Sequence, residues 1–162
     1  FGVRVLALKK TISDPDWLRE EYGVERVSSD YAEIASSADI VSLHLPANEE
    51  THHYMNRGRL QQLKPGAVLI NTGRGALIDE NALYDTLKNN HLSGAGLDVF
   101  EHEPYRPVKT DKDLRKLSNV ICTPHIGSNT RECSGRMTER VIQNIRFALK
   151  GKYEQMDIVS MK

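Results

Sequence analysis

An α/β fold built on a parallel sheet is what this sequence predicts, and three observations predict it. Short aliphatic runs alternate with capped amphipathic segments along the whole chain, and no internal repeat is present. The runs at 40–45 and 67–70 are almost continuously apolar, the pattern of strands buried on both faces of a parallel sheet. Polar and glycine-bearing stretches follow the runs directly, and such sheets bind ligands outside the carboxyl ends of their strands.

The elements follow in order. Residues 3–8 form a β-branched and aliphatic strand ended by Lys9 and Lys10. Asp14-Pro15-Asp16 starts a helix with Trp17, Leu18 and Tyr22 as its apolar positions, and Gly23 stops it. A short strand at 24–27 precedes a helix that Ser29 and Asp30 cap and that runs through Ala35. The strand at 40–45 is stopped by Pro46, and Asn56 caps a helix through Leu63. Pro65-Gly66 is a turn, 67–70 the next strand, and Asn71-Thr72-Gly73-Arg74-Gly75 a loop directly after it. Asp79 caps a helix with Ala82, Leu83 and Leu87 on one face and Lys88 near its C-terminal end. A strand at 94–99 leads into a long polar loop at 101–119, with a short helix expected at 111–117. A last strand at 120–123 precedes one long helix from about Thr130 to Leu149. Its apolar stripe is Met137, Val141, Ile145 and Leu149, and Gly151 ends it. The tail from Met156 to Val159 is strand-like.

Composition narrows the class. The 162 residues suit one domain with a sizeable core, and 39% hydrophobic with 27% charged residues is ordinary for a globular protein. Basic and acidic residues balance at 22 each, so no net field attracts nucleic acid or an anionic membrane. No apolar run approaches the ~20 residues of a membrane span, and no signal peptide is expected, since the chain reads as a strand from its first residues. The two cysteines, Cys122 and Cys133, make neither a disulfide framework nor a metal site, which fits a reducing cytoplasm. Adjacent His52 and His53 are poorly spaced to share a metal, and no metal is expected.

Three residues after strand ends can carry chemistry together. A guanidinium such as that of Arg74 binds a carboxylate through two parallel hydrogen bonds and can polarise a neighbouring carbonyl. A histidine such as His125 exchanges a proton near neutrality. A carboxylate such as Glu103 beside it fixes the ring and favours its charged form. That set is what hydride transfer to a 2-oxo acid requires. Singly, Arg74 also reads as a loop cation, Glu103-Pro104 as a solvated turn and His125 as a packing histidine, and spacing does not separate these readings.

Several motifs in order carry a resemblance. They are Ser42-Leu43-His44-Leu45-Pro46 with Glu50-Thr51, Leu63-Lys64-Pro65-Gly66-Ala67, and Asn71 to Gly75. Gly94 to Pro104 and Thr123-Pro124-His125-Ile126-Gly127-Ser128 complete the set. From Phe1 to about Gly151 the chain resembles the D-2-hydroxyacid dehydrogenase family, which includes glyoxylate and hydroxypyruvate reductases, phosphoglycerate dehydrogenases and D-lactate dehydrogenases. The resemblance implies a Rossmann-like doubly wound parallel sheet. It implies that Arg74 binds the substrate carboxylate and carbonyl, that His125 is proton donor and acceptor, and that Glu103 pairs with His125. It places Asp98 at the carboxamide of a nicotinamide, has Pro46, Thr51, Thr72 and Gly73 line the cofactor, and sets Gly127 near the nicotinamide. It further implies a small 2-oxo or 2-hydroxy acid substrate, such as glyoxylate or hydroxypyruvate, and a homodimer. The long helix could serve the dimer, although most such stripes are core.

Two departures stand beside it. The G-x-G-x-x-G phosphate loop that should precede Phe1-Gly2-Val3 is absent, as are the first strand and the N-terminal substrate segment. The strands at 3–8 and 40–45 therefore lose a shared neighbour, and the expectation is part of a longer chain, inactive alone. Residues 1–151 read as a partial dinucleotide-binding domain, and 152–162 as a tail returning to the missing substrate domain, with no appended regulatory domain. Second, Lys9 and Lys10 stand where an acidic residue usually binds the adenosine ribose, so the cofactor is NAD or NADP. The lysines favour a 2′-phosphate if they are not simply solvated. A corepressor-like NAD(H)-sensing protein of the same fold is the alternative function; the filled Arg74, Glu103 and His125 positions favour an enzyme.

Overall fold

Among the described residues all strand pairings are parallel, and they form two sheets: β1 (Val5–Leu8) with β2 (Val24–Ser28), and β3 (Ile40–Leu43), β4 (Val68–Asn71), β5 (Gly94–Leu97) and β6 (Val120–Cys122) in that order. Helices α1 (Pro15–Tyr22), α2 (Tyr31–Ala35), α3 (Arg57–Gln62), α4 (Glu80–Lys88) and α5 (Arg131–Leu149) connect and follow them. The computed structural model describes residues 2–12 and 14–157. These group into two compact units, those of Phe1–Pro124 and those of His125–Lys162.

Each helix starts where a short polar side chain can accept from the backbone. Asp14, Asp30, Asn56, Asp79 and Thr130 accept from the amides of Trp17, Ala32, Arg59, Ala82 and Cys133. These bonds satisfy donors that no helical carbonyl reaches. Gly23, at φ 64°, closes α1 in a left-handed conformation that costs glycine little.

The core lies on one face of the four-stranded sheet. Leu43, Leu69, Ala95 and Leu97 point from the strands toward Leu60 and Leu63 of the α3 segment and Ala82, Leu83 and Leu87 of α4. Each fully buried leucine here contributes about 1.5–3 kcal/mol. The other face is open: Ile40 is 60% and Ile121 74% exposed.

Several expectations change. β3 ends at Leu43 rather than Leu45 and is not buried on both faces, because the sheet face that bears Ile40 is open. β1 begins at Val5, not Val3, and no ladder joins it to β3 among the described residues, in keeping with their loss of a shared neighbour. The strand expected at 94–99 ends at Leu97, and the helix expected at 111–117 is one 3-10 turn, Leu114–Lys116. A second such turn, Gly75–Leu77, replaces part of the glycine-bearing loop. The α5 stripe of Met137, Val141, Ile145 and Leu149 is exposed. In the tail, Met156 and Asp157 are not in a strand, and Asp157 pairs with Arg140 and Asn144 of α5; Ile158 and Val159 lie outside the described residues.

Candidate active site

Parallel pairing sends the loops after β3, β4, β5 and β6 to one rim of the sheet. Asn71, the last residue of β4, has no exposed surface and organises two of them. Its Nδ2 donates to the Arg74 carbonyl at 2.9 Å, and its Oδ1 accepts from the Gly73 amide at 3.1 Å. Its own carbonyl accepts from the Asp98 amide at 3.0 Å. A buried amide so satisfied fixes the loop to the strand end. Arg74 is exposed, with Nη1 donating to the Gly73 carbonyl at 2.7 Å. Gly73 and Arg74 line a cleft of 440 Å³ with His44, Leu45, Pro46 and Ala47.

Behind Arg74 the backbone of Gly75 packs on the next loop. A Cβ on Gly75 would fall 1.9 Å from the Phe100 carbonyl carbon, so only glycine fits. Thr51 does not stand free toward the cleft: its Oγ1 donates to the Pro46 carbonyl at 2.6 Å and its amide to Asn48 Oδ1 at 3.0 Å. Thr72 is exposed.

Asp98, buried, accepts from Thr123 Oγ1 at 2.5 Å, which ties the ends of β5 and β6 together. Glu103 is exposed, and its Oε1 accepts from the Phe100 amide at 3.1 Å. His125 opens the second unit with φ 54°, followed by exposed Ile126 and Gly127. Within Phe1–Pro124 the structure thus brings together Pro46, Gly73 and Arg74 at one cleft, with Thr51 bonded behind Pro46, and links the Arg74 loop to Asp98 through Asn71. Lys9 is exposed, and Lys10 Nζ lies 2.7 Å from Glu50 Oε2.

One cluster escaped the sequence reading. Glu80 and Glu101 exchange bonds reciprocally: the Glu80 amide donates to Glu101 Oε1 at 3.0 Å, and the Glu101 amide to Glu80 Oε1 at 2.7 Å. His53 Nε2 lies 3.1 Å from Glu101 Oε2, and its ring stacks on that of His52. Glu80 is 5% exposed, and its Oε2 has no partner among the described residues. Burial, reinforced by the Glu101 charge and opposed by the Glu101 amide and His53, pushes its carboxyl up to about 7. In sequence Glu80 reads as an ordinary first-turn acid after a cap, and Glu101 as a neighbour of Glu103. No group of three metal-ligating side chains occurs among the described residues.

A parallel α/β sheet with glycine-bearing loops and charged side chains at its carboxyl rim defines a dinucleotide-binding domain. The profile of the D-isomer specific 2-hydroxyacid dehydrogenase NAD binding domain matches residues 1–127. A glyoxylate reductase of Thermococcus litoralis is 42% identical over 152 residues, which is 94% of this chain and 44% of that protein. The TT0316 protein from Thermus thermophilus superposes with a TM-score of 0.80 at 39% identity, covering 98% of this chain and 47% of that one. D-lactate dehydrogenase with NAD+ from Lactobacillus jensenii gives 0.81 at 27% identity, covering 98% and 49%. The chain belongs to the D-isomer specific 2-hydroxyacid dehydrogenase family, and its fold is the Rossmann-like sheet expected. It spans about half the length of the proteins it matches, or less.

Proposed function

We propose that this chain carries the nicotinamide-side half of an NAD(P)-dependent oxidoreductase acting, within a longer chain, on a small D-2-hydroxy acid and its 2-oxo acid. The observation that carries this reading is the Arg74 loop. An exposed cation stands on the rim of a 440 Å³ cleft, its backbone held by a fully buried asparagine. That volume is in the usual range of ligand sites. The residues fit the nicotinamide end of the cofactor: Pro46 and Gly73 line the cleft, and Asp98 sits at the adjoining strand end. The bound cofactor supplies or accepts the hydride. Thr51 acts by holding Pro46 in place, and Thr72 and Gly127 are assigned to the same lining.

Arg74 binds the substrate carboxylate through its two-pronged guanidinium and draws electron density from the neighbouring carbonyl. His125 gives a proton to the carbonyl oxygen in reduction and takes it back in oxidation, and Glu103 stabilises the imidazolium. In the longer chain, glyoxylate or hydroxypyruvate should be reduced. Replacing Arg74 with lysine removes the paired geometry and should lower kcat/KM by about 10- to 100-fold, from a lost charge-assisted bond of ~1.5–3 kcal/mol. Wild-type activity in Arg74→Lys would overturn the assignment. The 162-residue chain alone has no G-x-G-x-x-G loop, and no turnover is expected from it.

NAD and NADP are separated by titrating both reduced forms. Lys9 supports NADP, whereas Lys10 is already engaged by Glu50; a clear NADH preference would remove the NADP reading. A homodimer is supported by the exposed stripe of α5, and sedimentation of the longer chain tests it. No helix of the described residues is long and apolar enough to cross a membrane, and both cysteines are free, which supports a cytoplasmic site.

A further inference from the structure

We propose that Glu101, gripped by Glu80 and His53, is a positioning residue that locks the loop carrying Arg74 against the loop carrying Glu103. This rests on the dehydrogenase reading above. Three chain segments meet at its carboxylate. Oε1 receives the amide of Glu80 at the first turn of α4, and Oε2 faces His53 Nε2 at 3.1 Å. Its own amide, one residue beyond Phe100, is held by Glu80 Oε1 at 2.7 Å.

The Arg74 turn is enclosed by the same residues. The His53 amide donates to the Ala76 carbonyl at 2.7 Å, and the Met55 amide to the Leu77 carbonyl at 2.8 Å. The segment that holds Gly75–Leu77 from one side is thus the one whose histidine Glu101 grips. From the other side, Gly75 lies directly on the Phe100–Glu101 backbone. The Phe100 amide is in turn what binds Glu103 Oε1. One carboxylate therefore links the turn after Arg74, the start of α4 and the turn before Glu103. No residue of the set faces the cleft lined by His44 to Ala47, so none is assigned to substrate or cofactor.

The arrangement has a chemical reason. Close contact at Gly75 only prevents approach; it does not hold the loops together. Two charge-assisted bonds in a half-dry setting supply direction and hold. Removing Glu101 leaves the Glu80 amide without its acceptor, and the loops gain freedom. An ångström of looseness between a carboxylate-binding arginine and its partners is enough to lower turnover by about a hundredfold.

The test uses the longer chain, with steady-state kinetics on glyoxylate, NADH affinity by fluorescence and amide exchange of residues 76–78 and 100–103. Glu101→Ala should lower kcat about 10- to 100-fold while NADH affinity stays within about twofold. Glu101→Gln keeps an acceptor for the Glu80 amide and should recover kcat to within about threefold of wild type. His53→Gln, which leaves both bonds between residues 80 and 101, should fall between them, and it decides by the same reading if Glu101→Ala does not fold. Unchanged kcat in Glu101→Ala, or in His53→Gln where that variant decides, overturns the proposal, as does an equal loss of kcat and NADH binding that Gln does not recover. If the wild type reduces no 2-oxo acid, the dehydrogenase reading fails by itself. Faster exchange at 76–78 and 100–103 in Glu101→Ala then supports the lock, and unchanged exchange overturns it.

Discussion

Glu80 occupies the first position of α4 with its carboxyl buried, and its folded-state pKa is raised from 4.5 to about 7. The folded protein thus binds this proton more tightly than the unfolded chain. The group's contribution to stability is full below pH 4.5 and is lost as pH rises through about 7. Urea midpoints at pH 5 and pH 8 should show a drop in the wild type that Glu80→Gln reduces; an identical drop in both would refute this. Gly75→Ala should cost about 3 kcal/mol by the same assay, since its Cβ would strike backbone rather than a flexible side chain. At this scale the sequence shows chemistry but not partners. Arg74 and Asp98 stand in legible motifs, but the role of Asn71 does not: a fully buried amide and an ordinary loop asparagine look alike in sequence. Glu80 and Glu101 are 21 residues apart, and only the packing of two loops makes them neighbours.

Helix starts were the most legible elements, because a cap is local chemistry. Asp14, Asp30, Asn56 and Asp79 each accept the amide that their positions predict. Asp79→Ala should destabilise the protein by ~1 kcal/mol, read from denaturant unfolding. A value near zero would mean that packing alone sets the start of α4. Strand ends were less legible. The apolar pattern of β3 continues to Leu45, but the ladder to β4 stops at the Leu43–Asn71 pair, where the chain turns out to form the cleft. Apolarity reports what a residue prefers, whereas pairing depends on a neighbour that no local pattern reveals. The turn at Gly75–Leu77 is hidden for a related reason, since Arg74 and Gly75 read as loop and the turn is held by the distant segments it packs on, at Phe100 and at His53 and Met55.

At the scale of the whole molecule, the sheet is in two parts with unequal support. The buried cluster draws on β3, β4, β5, α3 and α4 and takes only Ala35 from α2, whereas α1 has no buried residue. Amides of β1 and β2 should therefore exchange at least about tenfold faster than those of β4 and β5, measured by hydrogen exchange on the 162-residue chain. Equal protection would mean that the two sheets open as one. The separation of β1 from β3 was readable in advance, because a parallel order places a strand between them and the sequence supplies none.

The contact of Gly75 with the backbone of Phe100 also bears on how this chain can change over generations. Two loops that touch through main chain, with no side chain between them, cannot drift separately. An insertion in either would need a matching shift in the other, whereas exposed Thr72, only three positions away, is under no such constraint. A saturation library selected for folding should return glycine alone at position 75 and a broad alphabet at position 72.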